Sequence, residues 1–368
     1  MRIAIVYLGR RGSGGPLSFE LATHLAARAD VLAVLSTQSE SLAAWRACGL
    51  PLVLTETYRT PLGAALSWLN HFALRRLARR ICAWQPDVLI YPLFYTLNPF
   101  LQMHLAGIPS LVAVHDVEPH PGLRQRLYYG LENLSIRQAT RCLVLSRAFV
   151  PAIVRRGVRP QRVDVIAHGE LSYYRRFDRP AAAVLSATPT LLFFGRITAY
   201  KGLAVLLKAF RQVSARRPVR LLIVGEGDFR PYRPLAEGLP NVEIVNRWVS
   251  ETEVDGFFRQ ANMVVLPYTS ASQSGVIAIA AGYGLPVIAT RTGGLPEQIS
   301  EGTTGLLVTP GSASELAAAI ERLLAAPQLA RELGENLLHE YRRHRNWDRI
   351  AAEVYTACEQ AVRDGRHQ

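Results

Sequence analysis

The sequence predicts an α/β protein with two domains, each built on a parallel sheet that helices cover on both faces. Short, uniformly apolar runs recur along the chain, as in strands buried on both faces, and segments of helical period separate them. The stretch from Met263 to Gln298 contains a strand, a loop, a helix and a second strand, the order of a βαβ unit. A chain of 368 residues is long for one core, which favours two domains.

The first predicted strand, Arg2 to Leu8, is followed by the glycine-rich stretch Gly12 to Gly15 and then by a helix. This is the order found at the start of a Rossmann-type domain. The glycine spacing is not the dinucleotide fingerprint, and no acid follows at the ribose-binding position. The loop either brings the backbone close to a ligand or is a tight turn that serves packing alone. The further strands predicted for this domain are Val31–Leu35, Pro51–Leu54, Pro86–Tyr91, Pro109–Val114, Cys142–Ser146 and Val163–Ile166.

A predicted helix from Leu66 to Trp84 combines an apolar side with clustered arginines. Leu66, Leu69, Ala73, Leu77 and Ile81 are expected on one side, and Arg75, Arg76, Arg79 and Arg80 lie elsewhere on the helix. Such a helix could lie on an anionic membrane surface, with Trp68 and Phe72 at the level of the headgroups. An ordinary surface helix of the domain is the alternative.

Polar, titratable residues follow the strand that ends at Val114, in the sequence His115-Asp116-Val117-Glu118-Pro119-His120. Ligands of open α/β sheets bind just beyond the carboxyl ends of the strands. His115 is the candidate that the sequence favours here, because a histidine both donates and accepts hydrogen bonds near neutral pH. The alternative for His115 and for His120 is a structural role.

The second domain is predicted to begin after a polar linker at about residues 170–187, with the strand Thr190–Phe194. That strand runs into Gly195-Arg196-Ile197-Thr198-Ala199-Tyr200-Lys201-Gly202, and a helix from Leu203 to Val213 follows. Arg196 and Lys201 therefore stand beside a helix N-terminus, which itself favours anions. Two cations at such a position are suited to stabilise negative charge on a phosphate group, including charge that grows in a transition state.

The loop of the βαβ stretch offers a second anion site, at Gln273-Ser274-Gly275-Val276. Hydroxyls and a glycine stand where the next helix begins, so free backbone N–H groups point at one spot. An anion, most often a phosphate, is favoured there.

Charge separates the two halves of the chain. Residues 1–180 carry 22 Arg, no Lys and 11 acids, a net charge of +11, whereas the remainder has a net charge of +2. A basic half suggests nucleic acid, an anionic membrane face or an anionic substrate. No nucleic-acid motif is present and few aromatic residues interleave the basic ones, so a membrane or a phosphorylated lipid is the expected partner and nucleic acid is not. An arginine-rich solvated surface is the alternative.

The compartment predicted from sequence is the cytoplasm. Cys48, Cys82, Cys142 and Cys358 are far apart and lack paired metal spacing, which indicates free thiols in a reducing environment. Met1-Arg2 leads into a six-residue apolar run, too short for the core of a signal peptide. No apolar stretch approaches the roughly 20 residues needed to span a bilayer.

The segment ending in Gly284-Leu285-Pro286-Val287 resembles the nucleotide-sugar site of GT-B glycosyltransferases of the family-4 kind. Gly195-Arg196 with Lys201-Gly202 matches the diphosphate site of that family. The resemblance implies a GT-B fold, in which two Rossmann-like domains face a cleft and the last helix, from Asn346, crosses back onto the first domain. It departs from the family at Ala271 and Ile279, which stand where the family has two glutamates that orient the donor sugar and hold the ribose.

The resemblance also implies roles for single residues. His115, Arg196 and Lys201 form the expected catalytic set, in which His115 contacts the sugar or acceptor and the two cations neutralise the leaving diphosphate. The expected donor-binding residues are Gly14, Gly15, Gly195, Glu226, Gly227, Gln273, Ser274, Gly275 and Val276, with backbone N–H groups of the last three on the phosphate. The residues expected near the sugar or acceptor are Asp116, His120 and His168.

The predicted function is retaining transfer of a sugar from a nucleotide-sugar donor to a polysaccharide, a lipid-linked glycan or a similar acceptor. No metal or other cofactor is expected, since the two cations do the work of a metal and no Asp-x-Asp motif is present. The predicted domains are residues 1–175, 188–345 and a C-terminal helix at 346–368. The missing glutamates leave open a silent scaffold that binds a nucleotide or a partner, and an oxidoreductase is disfavoured by the absent fingerprint.

Overall fold

A computed structural model of the protein describes residues 1–58, 71–115, 123–177 and 188–365. These residues form two compact units. The first is Met1–Gly169 together with the residues from Trp347 onward, and the second is Glu170–Asn346.

In the first unit the described strands form a parallel sheet in the order β3-β2-β1-β4-β5-β6-β7. The strands are β1 (Arg2–Tyr7), β2 (Asp30–Ser36), β3 (Leu52–Thr55), β4 (Val88–Tyr91), β5 (Ser110–Val114), β6 (Arg141–Val144) and β7 (Val163–Val165). Ile3 pairs with Val31 on one side and with Val88 on the other. The chain order therefore reverses between β1 and β4, the kind of point at which open α/β sheets bind ligands.

The second unit repeats this plan, with the described strands in the order β10-β9-β8-β11-β12-β13. They are β8 (Thr190–Phe194), β9 (Arg220–Val224), β10 (Val242–Val245), β11 (Met263–Leu266), β12 (Val287–Thr290) and β13 (Leu306–Val308). Leu191 of β8 pairs in parallel with Met263 of β11 and with Leu221 of β9. The reversal of order here lies between β8 and β11. The predicted fold class, two parallel-sheet domains, is confirmed.

Helices cover both sheets, and their apolar sides form the cores. In chain order the described helices are α1 (Gly14–Leu25), α2 (Leu42–Ala47), α3 (His71–Ala83), α4 (Asn98–His104), α5 (Leu123–Gln138), α6 (Val150–Arg155), α7 (Leu203–Ser214), α8 (Arg233–Ala236), α9 (Glu251–Arg259), α10 (Gly275–Gly282), α11 (Leu295–Gln298), α12 (Ala313–Ala325), α13 (Pro327–His344) and α14 (Trp347–Gly365). Serines cap two of these helices. Ser250 N donates to Glu253 Oε2 at 3.0 Å before α9, and Ser312 Oγ accepts from Glu315 N at 3.3 Å before α12. Of the helices described, none is both long and apolar enough to cross a membrane.

The last helix, α14, belongs to the first unit and packs against α1. Its Trp347 ring lies near the ring of His24 of α1, with centroids 6.4 Å apart. At its other end Asp364 Oδ2 accepts from Arg141 Nη1 at 2.9 Å, and Arg141 also forms a bidentate pair with Asp164. Because Arg141 is 7% exposed, these charge-assisted bonds fix α14 to β6 and β7.

Two segments differ from the sequence-based expectation. Residues 170–177, predicted as linker, are packed into the second unit: Tyr173 and Tyr174 are buried, and Tyr173 Oη donates to Glu251 Oε2 at 2.8 Å. In α3 the buried side contains Leu74 in place of the predicted Ala73, which is exposed, because the buried residues Leu74, Leu77, Ala78 and Ile81 share one helical face. Leu66, Trp68 and Leu69 lie outside the described residues.

Candidate functional site

The loop that carries Arg196 and Lys201 follows β8 and is held from both sides. Gly195 N donates to Val224 O at 2.9 Å, and Ile197 N donates to Glu226 O at 2.9 Å, so the loop is joined to the one that follows β9. On its other side Thr269 N, after β11, donates to Tyr200 O at 2.8 Å. The loop therefore lies across the point where the strand order of the second sheet reverses.

Two glycines allow these loops to approach each other. Gly202 has φ +72°, and a Cβ there would lie 1.8 Å from the carbonyl oxygen of Pro267. A Cβ at Gly227 would lie 2.2 Å from the carbonyl oxygen of Ile197. Because Gly202 has no side chain, the turn that contains Lys201 can pack against Pro267, the residue after β11. Because Gly227 has none, the exposed Glu226–Gly227 turn can pack against Ile197 in the Arg196 loop.

The Lys201 ammonium lies on the face of a buried aromatic ring. Its Nζ is 3.7 Å from the ring centroid of Tyr268, which is fully buried, and 5.4 Å from that of Tyr200. Arg196 is exposed. In the part of the chain that the structure describes, neither Arg196 nor Lys201 forms an ion pair with a carboxylate. Both cations are therefore available to an anion, and Lys201 adjoins the N-terminus of α7, which itself favours one.

A buried amide holds the loop before α10. Ser274 N donates to Gln298 Oε1 at 2.8 Å, and Gln298 Nε2 donates to Ser274 O at 3.1 Å and to Tyr341 Oη at 3.1 Å. Ser274, Gln298 and Tyr341 are 3%, 4% and 0% exposed. The expectation that the Ser274 N–H contacts a phosphate is corrected, because Gln298 already occupies that N–H group.

Gly275 and Val276 retain the predicted geometry. They are the first residues of α10, and their N–H groups have no hydrogen-bond acceptor among the described residues. Gln273 is half-buried in the loop before α10. Gly294 N, in the loop that follows β12, donates to Ser272 O at 3.1 Å and so joins the two loops. Such free N–H groups at the start of a helix favour an anion, so Gly275 and Val276 remain candidates for phosphate binding.

Ala271 and Ile279, which stand where the family-4 glycosyltransferases have glutamates, lie in apolar or half-buried surroundings. Ile279 is 3% exposed within α10, and Ala271 is half-buried in the preceding loop. Among the described residues, no three His, Cys, Asp or Glu side chains come together as potential metal ligands.

Near the Glu226–Gly227 turn, the Arg230 guanidinium lowers the pKa of Asp228 to about 2.

In the first unit, His115 and His168 line one small, largely apolar cavity together with Leu17 and Trp347. His115 Nε2 donates to Pro92 O at 2.8 Å, and His168 Nδ1 donates to Gly169 O at 3.0 Å. His115 is half-buried and His168 is buried. The structure thus brings two predicted residues together. Asp116 and His120 lie outside the described residues.

Gly14 and Gly15 are buried in the first turn of α1. A Cβ at Gly14 would lie 2.6 Å from Leu93 Cδ2 and 2.7 Å from Tyr7 Cε2. The absence of a side chain at Gly14 therefore leaves room for Tyr7 and Leu93. This close contact is what we expect if the glycine serves packing.

The sequence reasoning missed Tyr268, Gln298 and Tyr341. Tyr268 comes two residues after the end of strand β11, so its position at the carboxyl edge of the sheet could have been predicted from the sequence. Gln298 and Tyr341 carried no such signal, since Gln298 reaches Ser274 from helix α11 and Tyr341 reaches Gln298 from helix α13.

Two family models together match most of the chain. Residues 188–326 match the model described as glycosyl transferases group 1, and residues 14–169 match the glycosyl transferase 4-like domain. The D-inositol 3-phosphate glycosyltransferase of Paenarthrobacter aurescens (strain TC1) is 30% identical over 283 residues, which are 74% of this chain and 67% of that protein. The alpha-D-kanosaminyltransferase of Streptomyces kanamyceticus is 27% identical over 258 residues, 65% of this chain and 67% of that protein.

A further D-inositol 3-phosphate glycosyltransferase, from Segniliparus rotundus, is 33% identical over 220 residues, 56% of this chain and 49% of that protein. The chain thus spans about half to two thirds of the length of these relatives. Among solved structures, Anabaena HepE in complex with UDP and glucose is similar with a TM-score of 0.76 at 18% identity, covering 98% of this chain and 99% of that one. Sucrose-phosphate synthase from Thermosynechococcus elongatus has a TM-score of 0.71 at 22% identity and 98% coverage of both chains. These likenesses show the GT-B fold.

Proposed function

The chain belongs to the glycosyl transferases group 1 family, and from this premise we propose that it transfers a sugar from a nucleotide-sugar donor to a glycan or lipid-linked acceptor. The observation that carries the proposal is the pair of cations, Arg196 and Lys201, which no carboxylate neutralises in the part of the chain that the structure describes. Both lie in the loop that follows β8, at the reversal of strand order in the second sheet, and Lys201 directly precedes the N-cap residue of α7, Gly202.

The chemistry follows from where charge develops. As the bond between sugar and diphosphate breaks, negative charge grows on the leaving phosphate oxygens. Arg196 and Lys201 stabilise this charge more in the transition state than in the ground state, and the N–H groups of Gly275 and Val276 add to that stabilisation. In this proposal the two side chains supply the positive charge, so the enzyme works without a metal. Retention of configuration is proposed from the resemblance to the family-4 enzymes.

The nucleotide is proposed to be UDP. HepE, which shares the fold, has been crystallised with UDP and with UDP-glucose. We therefore propose UDP-glucose as the first donor to assay. His115 is proposed to contact the sugar or the acceptor, because it lies at the carboxyl end of β5 and has its Nε2 tautomer fixed by Pro92 O.

Peripheral binding to the cytoplasmic face of an anionic membrane is proposed for the first unit. On α3, Arg75, Arg76 and Arg79 are exposed and Phe72 is 86% exposed, which together present cations beside an apolar ring. Arg80 is excluded from this surface, because its Nη1 donates to Leu54 O at 2.7 Å. We call Phe72, Arg75, Arg76 and Arg79 the α3 surface.

A second candidate function is a silent scaffold that binds the nucleotide without transfer, which the apolar Ala271 and Ile279 favour. Incubation of the protein with UDP-glucose and a panel of glycan and lipid acceptors distinguishes the two. Release of UDP together with a glucosylated product supports the enzyme. Tight UDP binding with no product from any acceptor supports the scaffold.

A further inference from the structure

A pocket lies at the amino edge of the first sheet, where strands β4, β5 and β6 begin. It encloses about 570 Å³, a volume suited to a small organic ligand. We call it the amino-edge pocket, and its lining includes Gln102, Met103, Pro109, Ser110, Gln138 and Gly365. His115 lies at the opposite, carboxyl end of β5, so this pocket is separate from the candidate site of the first unit.

Two long helices end at the amino-edge pocket. The last residue of α5, Gln138, and the last residue of α14, Gly365, both line it. The final carbonyl groups of a helix have no partner within the helix, and they carry the negative end of the helix dipole. The two helix ends together therefore favour a positive charge in the pocket.

The end of α14 is held firmly in the pocket wall. A Cβ at Gly365 would lie 2.6 Å from Pro109 Cγ, so the glycine allows the helix to end directly against the loop before β5. In the preceding residue, Asp364 Oδ2 accepts from Arg141 Nη1 at 2.9 Å, and Arg141 also pairs with Asp164. One guanidinium and two carboxylates leave an excess of negative charge, which adds to the potential of the helix end.

The polar side chains of the pocket contain oxygen atoms that other groups do not use. Gln138 Oε1 is buried and has no hydrogen-bond partner among the described residues. Ser110 is 4% exposed, and its Oγ has no partner in the same part of the chain, although Ser110 N donates to Thr140 Oγ1 at 3.0 Å. A buried oxygen without a donor is costly, and a ligand that brings N–H groups removes that cost.

The rest of the lining indicates an organic cation and not a metal ion. Among the described residues, no charged side chain lines the pocket, so a metal ion would lack the carboxylates that hard cations prefer. Arg137 and Arg363, in the last turns of α5 and α14, are exposed and point no group into the lining. Leu89, Leu105 and Ile108 offer apolar contacts for the carbon atoms of a ligand.

We propose that the amino-edge pocket binds an aliphatic amine in its ammonium form. An ammonium group donates three hydrogen bonds, and Gln138 Oε1, Ser110 Oγ and the terminal carbonyl groups of the two helices are acceptors for them. The carbon chain of the amine packs against the apolar part of the lining. This site goes beyond sugar transfer and does not depend on it, because the pocket lies within the first unit and excludes His115, Arg196 and Lys201.

Calorimetry of the full chain with 1-aminobutane, 1-butanol and butanoate, at one ionic strength and pH 7, tests the preference for positive charge. The three probes share a short apolar chain and differ in charge, being a cation, a neutral molecule and an anion. We expect 1-aminobutane to bind about tenfold or more tightly than 1-butanol, and butanoate to bind most weakly. Equal binding of the amine and the alcohol, or tighter binding of butanoate, overturns the proposal.

Two substitutions of Gln138 change the charge of the pocket in opposite directions and locate the binding. Gln138→Lys should weaken 1-aminobutane binding by about tenfold or more, and Gln138→Glu should strengthen it by about the same factor. The control Gln161→Lys adds the same charge at an exposed residue of the first unit outside the pocket, and it should bind as the parent does. Circular dichroism checks folding, and Gln138→Glu keeps the test decisive if Gln138→Lys does not fold. Equal affinity in the parent and in the folded Gln138 variants would place the amine elsewhere and overturn the site.

Discussion

The ammonium group of Lys201 lies 3.7 Å from the ring centroid of Tyr268, so a fully buried aromatic face fixes the height of the cation above the sheet. Tyr268 is itself held in place, because its carbonyl oxygen accepts from Thr290 Oγ1 at 2.6 Å and its Oη lies 3.4 Å from Ser274 Oγ. The ring thus connects Lys201 to the loop before α10. We expect Tyr268 to act as a positioning residue for Lys201.

Replacing Tyr268 by leucine removes the ring face under Lys201, whereas Tyr268→Phe keeps it. A cation over an aromatic ring contributes about 0.5–2 kcal/mol, so Tyr268→Leu should weaken UDP binding by that amount. Tyr268→Phe should bind UDP nearly as the parent does. Calorimetry at a temperature where circular dichroism shows both variants folded checks this, and equal losses in the two variants would assign the effect to the hydroxyl instead.

Gln298 should stabilise the second unit through both of its bonds to Ser274. Gln298→Met keeps the length of the side chain but leaves Ser274 N and O without their buried partner, which costs about 1–3 kcal/mol for each unsatisfied group. Tyr341→Phe removes only the third bond and should cost less. Urea unfolding of both, with Gln328→Met on the exposed surface of α13 as control, gives the comparison. A free energy of unfolding that is the same for Gln298→Met and the control contradicts the role given to Gln298.

Arg196 and Lys201 could be predicted as site residues from the sequence, whereas the contacts of Gln298 could not. Strands and the loops that follow them are local features, so the apolar runs of the sequence predict that the two cations lie at the carboxyl edge of the sheet. The Gln298–Ser274 pair joins residues 24 apart in sequence, and Tyr341 is 43 residues beyond Gln298. An amide in a short helix has no periodic signature, so only the packing of α11 and α13 against the loop reveals it.

The difference between Arg10 and Arg11 could not be predicted from the sequence for the same reason. Arg10 and Arg11 are adjacent and chemically identical, and only the convergence of the loops after β1, β3 and β4 separates the one that pairs with Glu40 from the one that faces Tyr58. The net charge of the sequence counts Arg10 and Arg11 equally. The structure shows which charge is engaged and which remains available.

His115→Ala should lower the rate of transfer while UDP affinity remains nearly unchanged. If His115 contacts the sugar or acceptor, the contact matters mainly along the reaction path and not in binding of the nucleotide. Turnover with UDP-glucose and calorimetry with UDP are to be measured on one preparation, with His339→Ala in the second unit as control. A parallel loss of turnover and UDP affinity in His115→Ala would indicate that His115 serves the fold.

Binding to anionic vesicles should depend on the α3 surface. Each cation near an anionic membrane contributes about 1 kcal/mol, attenuated over a Debye length, so replacing Arg75, Arg76 and Arg79 by glutamine should release the protein, as should added salt. The matched control replaces Arg322, Arg331 and Arg343, exposed arginines of the second unit, and removes the same charge. Flotation that weakens equally in both triple variants would show a general effect of net charge and no membrane-binding surface.

The measurement that tests the central claim most directly compares the two lysines of the chain, Lys201 and Lys208. Lys208 is exposed on α7, seven residues along the chain from Lys201, and so serves as the matched control. Calorimetry with UDP should show Lys201→Ala binding more weakly by about 1.5–3 kcal/mol, the range for hydrogen bonds to charged groups, with a larger loss in transfer from UDP-glucose because the phosphate charge grows as the bond breaks. Lys208→Ala should match the parent protein in both assays. UDP binding that is unaltered in Lys201→Ala would contradict the account, because it would remove Lys201 from the nucleotide-sugar site.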